Sequence, residues 1–101
     1  MVNNKQVYSI EVLCRGKYES WEFEKEEERD RFYESVKKKF ADHAFEQEPT
    51  DVEDTEILQL SANSVHIDDE GEVDQKMRYD WFHYDSFGNM LSYINRQYKN
   101  E

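Results

Sequence analysis

The segment EILQLSANSVHID, Glu56–Asp68, decides the fold, because it admits two readings. A tight turn at Ala62-Asn63 makes it a hairpin, with Leu60 against Val65 and Leu58 against Ile67. Asparagine tolerates the left-handed backbone that such a turn needs. Without the turn, the same residues form one long strand. We adopt the hairpin, which has a consequence for function: it holds its own two ends close together.

Downstream, DEGEVD is a polar loop around Gly71, and KMRYDWFHYD, Lys76–Asp85, reads as a further strand. Alternation puts Tyr79, Trp81 and His83 on one face and Phe82 and Tyr84 on the other. Its rings therefore divide between core and surface. The chain then passes to SFGNMLSYINRQYK, where Phe87, Leu91, Ile94 and Tyr98 form one helical stripe and Ser86 suits the N-cap.

Upstream, VYSIEVLC places Tyr8, Ile10, Val12 and Cys14 on one strand face, and Trp21 and Phe23 alternate in YESWEFE. A two-residue loop at Gly16-Lys17, with glycine supplying positive φ, sets Val12 opposite Trp21, Ile10 opposite Phe23 and Glu11 opposite Glu22. A helix over 25–43 follows, carrying Phe32, Val36 and Phe40 on its inner stripe. Its acids Glu26–Glu28 come first and Lys37–Lys39 last, which suits both ends of the helix dipole. Lys37–Lys39 thus read as a solvated helix end in preference to a nucleic-acid patch. The acid-rich AFEQEPTDVEDT, with the sole proline Pro49, is a loop. The predicted architecture is a single α+β domain over residues 1–101. It has an antiparallel sheet of about five strands, element order ββα–βββα, with two helices packed on one face.

Composition narrows the function classes. A 37% hydrophobic share is low, but 15% of the chain is aromatic, enough to build a core from few residues. One cysteine, Cys14, excludes an internal disulfide and points to a reducing, cytoplasmic setting. No apolar run is long enough to span a membrane, and the first residues lack a secretory pattern. The net charge of −11 opposes direct contact with nucleic acid or anionic lipid.

That charge is not evenly spread. Residues 46–75 contain no lysine or arginine and eleven acids, while the rest of the chain balances to neutrality. If the 56–68 hairpin brings its ends together, the 46–56 arm and the 68–74 loop crowd one edge with carboxylates. Such an edge is self-repulsive and is relieved by a basic partner. The expected function is therefore a small acidic protein-binding module or inhibitor for a basic, nucleic-acid-binding protein. A dense carboxylate row could mimic a phosphate backbone, in the manner of phage- or mobile-element-type inhibitors. The charged footprint is Asp51, Glu53, Asp54, Asp68, Asp69, Glu70, Glu72 and Asp74, and Tyr79, Trp81 and Tyr84 are the aromatic anchors.

Two alternatives remain. His66-x-Asp68 and His83-x-Asp85 could ligate a metal, giving a metal-binding module or metal-dependent enzyme, though the spacing is common by chance. Alternatively, the aromatic strand could pair with itself in a self-associating structural subunit. No enzyme signature, catalytic residue or cofactor motif stands out. Cys14 lies on an apolar strand face, where a small buried side chain is the natural role despite the neighbouring Arg15.

Overall fold

The structure is a computed structural model and describes residues 5–46, 49, 53 and 56–99. The elements are β1 (Lys5–Cys14), β2 (Lys17–Phe23), α1 (Glu26–Lys39), β3 (Ile57–Ile67), β4 (Val73–His83) and α2 (Phe87–Lys99). They form an α+β fold with one antiparallel sheet in the order β2-β1-β3-β4. The chain is thus two successive ββα units whose first strands, β1 and β3, pair at the centre.

The sheet has four strands, not five, because the 56–68 segment is one strand. Ala62 lies in mid-strand facing Ile10 on one side and Arg78 on the other. The turn falls instead at Asp68–Glu72. There the Asp68 carboxylate accepts the backbone N–H of Glu70 at 3.0 Å and of Glu72 at 2.8 Å, and Gly71 adopts φ 85°. An acid that caps its own loop plus a glycine at positive φ outweighs an Ala-Asn pair whose neighbours can bury on both sides.

The β1–β2 hairpin also differs in register. Its loop is Arg15-Gly16, at φ 52° and 79°, so Trp21 faces Ile10, Phe23 faces Tyr8, and Glu11 faces Ser20 in place of Glu22. Two consecutive positive φ values are those of a type I′ turn, whose twist matches the flanking strands. The shift of two residues preserves which side chains share a face.

Both helices cover the same face. The core there holds Ile10, Val12, Cys14, Trp21, Phe23, Leu58, Leu60, Ala62 and Phe82 from the sheet. Above them lie Phe32, Tyr33, Val36 and Phe40 of α1, with Met90 and Ile94 of α2. Helix α1 ends at Lys39, short of residue 43, because Phe40 turns into the core and Ala41–His43 tighten into a 3-10 turn. On α2, Phe87 and Leu91 are only partly buried, and Met90 joins Ile94 in the deepest layer. Ser86 turns its hydroxyl back to the His83 carbonyl at 2.8 Å and is not a forward cap.

Polar groups fasten α1 to the sheet. Buried Arg29 donates to the Asn63 carbonyl and, at 2.9 Å, to the Ser64 hydroxyl. Fully buried Tyr33 donates to Asp80 at 2.7 Å, and Lys37 approaches the same carboxylate at 3.6 Å. Burial first, and then the Asp80 hydrogen bond, push the Tyr33 phenol well above its ordinary range. These contacts set the direction of α1: its acidic first turn lies at the β3–β4 hairpin, and its lysines lie at the opposite end.

Candidate functional site: the open sheet face and its acidic hairpin

With both helices on one side, no described element covers the other side of the sheet. The strand registers arrange this face in rows. Tyr18, Leu13, Gln59 and Trp81 make one, Ser20, Glu11, Ser61 and Tyr79 the next, and Glu22, Ser9, Asn63 and Met77 a third. It carries exposed apolar side chains: Tyr18, at 56% exposure, and Met77 and Tyr79 on its edge strands, and Leu13 on β1. Tyr79 and Trp81 stack with ring centres 6.3 Å apart, and the Tyr79 hydroxyl lies 3.1 Å from the Met77 sulfur.

The centre of the face is polar and tightly packed. Ser9, Ser61 and Asn63 are buried even though no described element forms a second layer over them. The Glu11 carboxylate accepts hydrogen bonds from the Asn63 amide and the Tyr18 hydroxyl. Burial raises the Glu11 pKa above the ordinary carboxylate value, against the opposing pull of the Asn63 hydrogen bond. Among the described residues, the Asn63 Oδ1 is a buried oxygen with no partner.

One end of the molecule is acidic, but not in the way the sequence suggested. β3 runs unbroken for 11 residues, so its ends lie about 33 Å apart, with Glu56 before one end and Asp68 after the other. Glu53 and Glu56 are exposed at the far end, and Asp51 and Asp54 lie outside the described residues. Asp68, Asp69, Glu70, Glu72 and Asp74 do lie together, on the β3–β4 hairpin. Their acidic neighbours come from α1: Glu26 shares a shallow hollow with His66, Asp74 and Lys76. Asp68 is occupied in shaping the turn, which leaves Asp69, Glu70, Glu72 and Asp74 as the outward carboxylates.

Of the three proposed anchors, Tyr79 and Trp81 are brought together on the open face. Tyr84 is not. It leaves the strand in a 3-10 turn, and the Arg15 guanidinium lies 4.1 Å from its ring centre. His66 and His83 are likewise kept apart, at opposite ends of the β3–β4 ladder and on opposite faces. His83 stacks on Phe45 at 4.2 Å, and Asp85 sits 3.7 Å from His43. Among the described residues, no three His, Cys, Asp or Glu side chains converge as a metal site would require. Cys14 is buried, and that burial raises its thiol pKa, with Arg15 and Lys17 opposing. No described helix is long and apolar enough to cross a membrane.

The sequence reading put Glu11 on the outer face without giving it a role, and it missed Leu13, Tyr18, Asn63 and Met77 as residues of this face. Strand alternation placed Glu11 and Leu13 opposite the core face, and that was the available signal. Comparison with protein-family models, curated proteins and solved structures finds no match to this chain.

Proposed function

We propose that this chain is a protein-binding module that receives a basic partner protein on the open face of its sheet. The observation that carries this reading is the stacked Tyr79–Trp81 pair on the open sheet face, toward one end of β4, while the other end of that strand enters a hairpin whose outward residues are carboxylates. Aromatic rings fixed by stacking lose little entropy when a partner covers them, and they are the usual source of affinity. Asp69, Glu70, Glu72 and Asp74 steer a basic surface toward them and set orientation and on-rate more than final affinity. Mimicry of a phosphate backbone depended on eleven adjacent carboxylates. The length of β3 removes that adjacency, so the proposal keeps the basic partner and leaves the mimicry out.

The test is affinity capture at low and high salt with three forms: wild type, Trp81→Ala, and Asp69→Lys/Glu70→Lys/Glu72→Lys. A basic protein held by wild type and released by salt, by the alanine and by the lysines supports the reading. Equal retention by all three forms rejects it. Asp68 is left intact because it holds the turn.

A further inference from the structure

β4 is an edge of the sheet, and among the described residues most of that edge has no neighbour. The chain after α1 closes its far end, where Phe45 donates its backbone N–H to the Trp81 carbonyl at 2.8 Å. In an antiparallel strand, alternate residues turn both backbone groups the same way. Since Trp81 faces outward, so do Tyr79, Met77, Gln75 and Val73. Residues Val73–Tyr79 are all exposed. A long bare edge of this kind is a template for another strand.

The sequence of the edge specifies which strand. Glu72–Arg78 reads EVDQKMR, and its charges invert about Gln75: Glu72 answers Arg78, and Asp74 answers Lys76. We infer that β4 pairs antiparallel with β4 of a second copy, with Gln75 opposite Gln75, to form one continuous sheet through two chains. In this register the two Gln75 residues exchange both backbone hydrogen bonds, and Val73 does the same with Met77 of the other copy. On the helix side, Asp74 lies opposite Lys76 and Glu72 opposite Arg78, each pair occurring twice by symmetry. On the open side, Val73 meets Met77.

Neighbouring registers fail on named contacts. Centring on Lys76 or Asp74 sets that residue against its own copy, with like charges face to face. Centring on Met77 or beyond carries Val73 onto Trp81, whose backbone Phe45 already occupies. Only the Gln75 register matches every charge and fits the bare length. It also joins the two open faces, so the Tyr79–Trp81 pairs of both copies lie on one surface. The pairing needs no basic partner and stands or falls independently of one.

Sedimentation equilibrium from micromolar to near-millimolar protein tests this, with circular dichroism as the check on folding. Wild type is expected to dimerise reversibly. Gln75→Pro removes an outward N–H that β3 does not use, so the variant stays folded and becomes monomeric. Lys76→Glu sets like charges together twice over and raises the dissociation constant by about tenfold. Asp74→Lys/Lys76→Asp exchanges the charges and restores the dimer. A wild type that is monomeric throughout, or a dimer that survives Gln75→Pro unchanged, overturns the inference.

Discussion

Replacing Tyr33 with phenylalanine removes one oxygen from a polar contact that ties α1 to the sheet. The ring keeps its place between α1 and the sheet, so no cavity opens, and the effect isolates the hydroxyl bonded to Asp80 at 2.7 Å. A hydrogen bond to a charged group contributes about 1.5–3 kcal/mol. The Asp80 side chain is 29% exposed and retains Lys37, so solvent replaces part of what is lost, and the lower figure, about 1.5 kcal/mol, applies. The pH dependence is sharper still. The folded phenol titrates above its unfolded value of 10.0, so its stabilisation is complete below that pH and is lost as pH rises through it. Ionisation in the unfolded chain then removes about 1.4 kcal/mol by about pH 11 from wild type and nothing from the phenylalanine variant at this site. Urea unfolding of both proteins at about pH 8 and about pH 11 should show the gap between them nearly closing. A gap that is the same at both pH values, or absent at the lower one, would refute a buried, carboxylate-bonded phenol.

Four further substitutions probe the rest. Glu11→Gln should stabilise the protein at neutral pH, because a carboxylate whose pKa is raised on folding opposes folding once ionised. Its advantage in urea midpoint should disappear as pH falls through the carboxylate range. Phe82→Ala, at a fully enclosed core position of β4, should cost about 3–5 kcal/mol by thermal or urea unfolding. Gly71→Ala, at φ 85°, should cost about 1 kcal/mol through backbone strain alone, since nothing lies near enough to clash. Arg78→Ala should bring the Glu34 titration, followed by NMR, up toward the ordinary carboxylate value, because hydrogen bonding to Arg78 is what lowers it.

Periodicity carried most of the fold. Tyr8, Ile10, Val12, Cys14, Trp21 and Phe23 fall on the helix-side face as alternation requires. The two-residue error in the first hairpin left those faces untouched, because strand periodicity is two. Phe32, Val36 and Phe40 needed only the helical repeat. The failure at Ala62-Asn63 came from treating a local preference as decisive. Between two partner strands, Ala62 packs on Ile10 and Asn63 bonds Glu11, and neither contact is visible from neighbours in sequence. The site suffered from that one error: the charge count was correct, but adjacency of the two acidic connections required a turn that is not there. The uncovered face was legible in principle, since two helices cannot cover both sides of a sheet when they pack on one. The sequence did not reveal that α1 would bring Glu26 to the hairpin, because the direction of α1 is fixed by Arg29 reaching across to Asn63 and Ser64.

An unbroken β3 both separates the acidic connections and lays out the open face, and proton–proton NOEs read it directly. Short α-proton contacts between Ala62 and Ile10, and between Asn63 and Met77, are the predicted result. A contact between the α-protons of Leu60 and Val65, with those two missing, would place a turn in the middle of the strand and contradict the four-stranded sheet.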